Sequence, residues 1–154
     1  GPYLASGGRF PEVVVWNVAE QQEYLRLRAR SSTDALAFSP DGRTLASAHA
    51  DTHIRLWDIE SRQLLSELLG HEDTIHRLAF SADGETLASA SGDGSVRLWS
   101  VSVRCPIGTI EDRIGTAHTV AFSPDGRSLT AGWNSAPWDD SPDVLVWRIN
   151  RGRD

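Results

Sequence analysis

The sequence has no lysine, no methionine and a single cysteine, Cys105, among its 154 residues. One thiol cannot form an intrachain disulfide, so the fold does not rest on cystine staples, and a reducing, cytoplasmic setting is expected. No apolar run approaches the ~18 residues of a membrane-crossing helix, and no basic stretch leading into an apolar one marks an export signal. A membrane is not an expected partner. Basic charge is also scarce: 15 arginines against 21 acidic residues leave 15 − 21 = −6, divided as −3 over residues 1–77 and −3 over 78–154. Without a basic face, binding to nucleic acid through phosphate neutralisation is not expected. Methionine is missing even at position 1, and Gly1-Pro2 resembles the remnant left when a protease removes a purification tag, so a piece of a longer protein is expected.

What the sequence does have is repetition, the first thing to settle before any element is assigned. Ala37-Phe38-Ser39-Pro40-Asp41-Gly42 recurs as Ala79-Phe80-Ser81-Ala82-Asp83-Gly84 and as Ala121-Phe122-Ser123-Pro124-Asp125-Gly126, at spacings of 42 and 42. A second block follows each time, as Leu45-Ala46-Ser47, Leu87-Ala88-Ser89 and the looser Leu129-Thr130-Ala131. The third block reads Ile54-Arg55-Leu56-Trp57, Val96-Arg97-Leu98-Trp99 and Val144-Leu145-Val146-Trp147. Leu4-Ala5-Ser6 and Val13-Val14-Val15-Trp16 match blocks two and three of an earlier copy that lacks its first block.

These blocks are short, rich in aliphatic and aromatic residues, and bounded by Asp-Gly or Ser/Gly/Asp clusters, which predicts strands. Ser-Pro-Asp-Gly fits a tight hairpin, since Pro presets one backbone angle and Gly accepts the positive φ that closes the turn. A fourth strand is predicted in each linking segment, at Glu23–Leu27, Gln63–Leu68 and Pro106–Ile110. Pro106 cannot donate to a ladder and therefore suits an edge. Four short antiparallel strands per ~42 residues make the unit of a propeller blade.

Gly70-His71, Ala79-Phe80-Ser81, Leu87-Ala88-Ser89, Asp93 and Leu98-Trp99-Ser100 together resemble the WD-repeat (WD40) β-propeller family, and Trp57-Asp58 supplies the literal dipeptide. The resemblance covers nearly all of residues 3–149. It implies an all-β fold, a partial propeller of about four four-stranded antiparallel blades, with the strands of each blade running outward from a central channel. The expected units are residues 1–30, an incomplete first blade; 31–70 and 71–112, two full blades; and 113–154, a fourth blade lacking its outer strand. Since the family closes its rings with seven or eight blades, the chain resembles the C-terminal half of one.

His71, Ser89 or Ser91, and Asp93 are the ingredients of a Ser-His-Asp catalytic triad. The resemblance implies another role, a structural hydrogen-bond network of His71, Ser91 (or Ser89), Asp93 and Trp99. A buried Asp needs donors and an indole N–H needs an acceptor, which agrees with that role. The other units depart from it: the His position is Ala29 in unit two and Arg113 in unit four, while the Asp position is Asp51 in unit two and Phe10 in unit one. The flanking blades are therefore expected to be less rigid. His49, Asp51 and His53 alternate across a predicted turn, but three such residues without a fourth partner read as a polar loop, and no metal is expected.

Trp follows Phe by 19 residues in units two and three but by 25 in unit four, so six residues are inserted there. The segment 133–143 brings Trp133 and Trp138 among three acidic residues, with Asp139 and Asp140 adjacent to Trp138. Trp is enriched at interface hot spots, and Trp133, Trp138, Asp139 and Asp140 form a candidate partner-binding loop; the alternative is that both indoles fold back over the neighbouring blade. No phosphate loop, paired-Cys site or nucleophile elbow is present, so no catalytic residue and no cofactor are expected. The expectation is a non-enzymatic scaffold that presents a loop face to a protein or peptide. An alternative is a half-propeller that self-associates through its open blade faces into a homodimeric ring, and another is the regulatory domain of a larger signalling protein.

Overall fold

The structure is a computed structural model and describes residues 2–111, 115–134 and 144–149. Fourteen strands and no helix lie among the described residues, arranged in four antiparallel sheets. The first sheet holds β1 (Tyr3–Ser6), β2 (Glu12–Asn17) and β3 (Gln22–Arg28). The second holds β4 (Thr33–Phe38), β5 (Thr44–His49), β6 (Ile54–Asp58) and β7 (Gln63–Leu68). The third runs β8 (Ile75–Phe80), β9 (Thr86–Ser91), β10 (Val96–Ser100) and β11 (Cys105–Ile110), and the fourth β12 (Thr116–Phe122), β13 (Ser128–Asn134) and β14 (Val144–Arg148). Strand order follows chain order in every sheet, as hairpin connections require.

The turn chemistry repeats with the sequence. Ser39 Oγ donates to the Asp41 carboxylate at 2.6 Å, Asp41 accepts the Arg43 N–H at 3.0 Å, and the Thr44 N–H closes on Ser39 Oγ at 2.9 Å. Ser123, Asp125, Arg127 and Ser128 reproduce the same bonds between β12 and β13. Gly42, Gly84 and Gly126 sit at φ of 73°, 75° and 67°, the left-handed region that a side chain disfavours. Pro106 lies in β11, an edge strand, beside the ladder irregularity opposite Leu98 and Trp99, where no N–H is missed.

Because side chains alternate along a strand, each sheet offers one face to the sheet before it and the other to the sheet after. Three apolar cores result, one per boundary. Val13, Val15, Leu25 and Leu27 of the first sheet meet Leu45, Trp57 and Ile59 of the second. Ala46, Ala48, Ile54 and Leu56, on the opposite face of the second, meet Ile75, Leu78, Leu87 and Trp99. The third sheet's Ala88, Ala90 and Val96 meet Val120, Leu129, Ala131 and Trp133 of the fourth. At the second and third boundaries Ala46 and Ala48, and then Ala88 and Ala90, let Trp99 and Trp133 of the next sheet approach closely. The first strands β4, β8 and β12 are neighbours, so the sheets converge along that side.

The sheets therefore form an open stack of propeller blades, with the three-stranded sheets at its ends. The expected fourth strands of the first three units are present as β3, β7 and β11, each slightly longer than or equal to the segment read from sequence.

Candidate functional site

A buried polar constellation lies in the third sheet. The Trp99 indole N–H donates to Ser89 Oγ at 2.9 Å; Ser89 Oγ lies 2.7 Å from His71 Nε2, and His71 Nδ1 lies 2.7 Å from Asp93 Oδ2. Burial lowers the His71 pKa, an effect that Asp93 only partly offsets, so the ring is neutral at pH 7. The bonds then run in one direction: indole N–H to Ser89, Ser89 O–H to Nε2, and Nδ1–H to the carboxylate. Burial alone would raise the Asp93 pKa, but hydrogen bonds from Ser95, His71 and the Glu72 backbone N–H outweigh it and hold the group at about 2.

Ser89, not Ser91, is thus the link between His71 and Trp99. Ser91 sits on the same face two residues on, where its hydroxyl donates to the Asp73 carbonyl at 3.0 Å and accepts the Asp93 N–H at 3.2 Å. Ser89, His71 and Asp93 have the connectivity of a hydrolase triad, but Ser89 has no exposed surface and its Oγ already accepts the indole N–H. A nucleophile must reach a substrate carbon, and this hydroxyl faces the packed boundary between two sheets.

The second sheet builds a similar line from a different residue. Trp57 donates to Ser47 Oγ at 2.8 Å, and Ser47 Oγ lies 2.7 Å from His49 Nε2. His49 comes from β5 itself, not from the linker before the first strand. Its other ring nitrogen lies 3.3 Å from Thr33 Oγ1. Positions 49, 91 and 133 are 42 residues apart and hold His, Ser and Trp. Trp133 packs edge-on to Trp147 with ring centroids 5.8 Å apart, and its N–H donates to the Gly94 carbonyl at 2.8 Å. One structural slot is filled by three chemistries, which a search for the His at its usual place misses.

Trp133 corrects the loop reading. It is the last residue but one of β13, is 4% exposed, and its ring is turned against the third sheet, not to solvent. Trp138, Asp139 and Asp140 lie outside the described residues. The His49, Asp51 and His53 triplet does not converge: His49 is used as above, Asp51 holds the Arg55 guanidinium at 2.7 Å, and His53 Nδ1 is buried without a hydrogen-bond partner. Among the described residues no His, Cys, Asp or Glu cluster has the geometry to hold a metal ion, and there is no helix long and apolar enough to cross a membrane.

Two exposed apolar faces remain, at the ends of the stack. Leu4 occupies the position of Leu45, Leu87 and Leu129, all at most 1% exposed, yet is itself 56% exposed. Trp16 matches Trp57 and Trp99 and donates to Ser6 as they donate to Ser47 and Ser89, but it is 37% exposed. Val18, in the place of buried Ile59, is 58% exposed. At the other end, Val144 and Val146 match the buried pair Ile54 and Leu56 and are 59% and 64% exposed. Positions buried or half-buried at every internal boundary are open at both ends.

The family described as "WD domain, G-beta repeat" matches residues 27–58 and 62–100, which include β4 to β7 and β8 to β10. The small ribosomal subunit protein RACK1z of Arabidopsis thaliana is 37% identical over 68 residues, 44% of this chain and 20% of that protein. The general transcriptional corepressor TUP1 of Saccharomyces cerevisiae is 40% identical over 63 residues, 38% of this chain and 9% of its own length. WD repeat-containing protein 62 of Sus scrofa is 38% identical over 63 residues, 39% of this chain and 4% of its own length. The matched part of this chain spans a fifth or less of each of these three relatives.

Proposed function

Since this chain belongs to the WD-repeat family, we propose that it is a non-enzymatic protein–protein interaction module that works without a cofactor in a reducing, cytoplasmic setting. The observation that carries this reading is the pair of open apolar faces around Leu4, Trp16 and Val18 at one end and Val144 and Val146 at the other. Such surface is unfavourable in water, and contiguous apolar patches on soluble proteins mark sites of association. One relative is named as a protein of the small ribosomal subunit, which supports a role within an assembly. The buried His71, Ser89, Asp93 and Trp99 line serves rigidity in this reading, holding a loop against its blade.

The partner these ends favour is a second copy. Every internal boundary pairs a leaving face of small and aliphatic residues with a receiving face of Leu and Trp, and the two end faces are one of each kind. The last sheet of one chain therefore has the surface that the first sheet of another lacks. Two chains of four sheets would close an eight-bladed ring with two-fold symmetry, a closed arrangement that leaves no end exposed. A protein or peptide on the loop face is the second kind of partner.

Sedimentation of the wild type beside Val146→Asp and Leu4→Asp tests the reading. A wild-type dimer that each substitution turns into a folded monomer is the expected result; identical monomers in all three overturn self-association through these faces.

A further inference from the structure

Arg55 and Arg97 stand at the same position of the second and third sheets, on β6 and β10, in different surroundings. Arg55 lies opposite Glu67 on the outer strand β7, and its guanidinium is held by Glu67 at 2.9 Å and Asp51 at 2.7 Å. In the third sheet both carboxylates are lost to it. Thr109 stands opposite Arg97 in place of Glu67, and Asp93, the counterpart of Asp51, is turned to His71 and Ser95.

Arg97 Nε is buried and has no hydrogen-bond partner. A buried guanidinium N–H that has exchanged water for nothing is unfavourable, and an arriving acceptor removes the cost. Gly70 lets the guanidinium pack close to the backbone, since a Cβ there would lie 2.7 Å from Arg97 Nη1 and 3.6 Å from the Trp99 ring. Thr109 is exposed on the outer strand, so the direction from which Glu67 reaches Arg55 is open at Arg97.

We infer that Arg97, approached past Thr109 on the outer strand of the third sheet, receives a side-chain carboxylate of an acidic peptide segment. The incoming group takes the position that Glu67 holds in the second sheet, and the planar guanidinium fork matches it with two parallel donors. This inference rests on the reading of the chain as an interaction module and names the chemistry of one partner. The protein's net charge of −6 repels acidic chains in general, so saturable binding of one reports a local site.

Heptaglutamate, heptalysine and inorganic phosphate are titrated separately into the whole chain by calorimetry, with tryptophan emission as a second readout because the Trp99 ring and the Arg97 guanidinium both lie against Gly70. Saturable binding of heptaglutamate is expected, weakened about tenfold or more by Arg97→Gln, which removes the charge-assisted bonds. Thr109→Glu supplies a carboxylate from the chain itself and is expected to abolish binding without lowering the thermal midpoint, a result that loss of folding cannot imitate. Equal affinity in wild type and Arg97→Gln, or unchanged affinity in Thr109→Glu, overturns the assignment. A response to phosphate alone overturns the acidic-peptide class. Binding of heptalysine alone overturns the Arg97 site and leaves the interaction module standing, whereas a chain that is monomeric and binds none of the three overturns both.

Discussion

The Trp133 indole N–H donates to the Gly94 carbonyl, 2.8 Å away, across the boundary between the third and fourth sheets. That bond ties the end of β13 to the turn joining β9 and β10, and places the ring against Trp147. Trp133→Ala is therefore expected to cost about 3–5 kcal/mol, the range for emptying a buried aromatic site, and Trp99→Ala the same. Denaturant unfolding of both variants checks this. A loss at Trp133 near that of an exposed indole, under ~1 kcal/mol, would return it to the surface loop.

Thr52 and Gly94 hold the same turn position 42 residues apart, at φ of 63° and 85°. A β-branched residue is strained in the left-handed region, and glycine is not. Thr52→Gly should raise stability by about 1 kcal/mol, the strain released on leaving that conformation. Its reverse, Gly94→Thr, should lower it. A thermal midpoint that falls on Thr52→Gly contradicts the turn geometry.

Asp93→Ala removes the acceptor of His71, Ser95 and the Glu72 N–H. Leaving those donors unpaired is expected to cost roughly 1–3 kcal/mol while any partner binding persists. Because Ser89 is sealed, a fluorophosphonate probe should label no serine of the folded chain. Labelled Ser89, or a hydrolytic activity lost in a folded Asp93→Ala variant, would make the line catalytic.

Acid should destabilise the fold in two windows. The folded-state pKa values of His71 and His49 are lowered, chiefly by burial, so unfolded chains bind a proton that folded ones refuse. Their contribution is complete above the unfolded histidine pKa of about 6.5 and is lost as pH falls below it. Asp93, held at about 2, contributes fully above the unfolded value of about 3.9 and loses that contribution between there and about 2. Chemical denaturation from pH 8 to 3 is expected to give a falling midpoint with His71→Gln flattening the upper window. A midpoint constant between pH 7 and 5 would contradict neutral, buried imidazoles.

Strand positions were legible because Phe38, Phe80 and Phe122 recur every 42 residues and each is followed by a Trp block, 19 residues on in units two and three and 25 in unit four. The polar line was legible in type and blurred in detail. Ser89 and Ser91 lie on one face of β9, so the period of two cannot choose between them; the ten-residue interval of Trp16–Ser6, Trp57–Ser47 and Trp99–Ser89 could have. His49 was hidden because it reaches Ser47 from β5 itself, whereas His71 reaches Ser89 from the linker before the first strand. Trp133 read as loop because it borders an inserted segment, yet its 42-residue interval from Ser91 marks it as the last residue but one of β13. Identity-based alignment overlooks a slot whose occupants are His, Ser and Trp.

Self-association through the two open faces sets the mass of the protein in solution. Light scattering coupled to size exclusion at micromolar concentration measures the mass directly. Twice the 16.9 kDa of one chain is expected, with Leu4 and Trp16 of each copy covered by Val144 and Val146 of the other. A mass of one chain, unchanged as concentration rises, would contradict it.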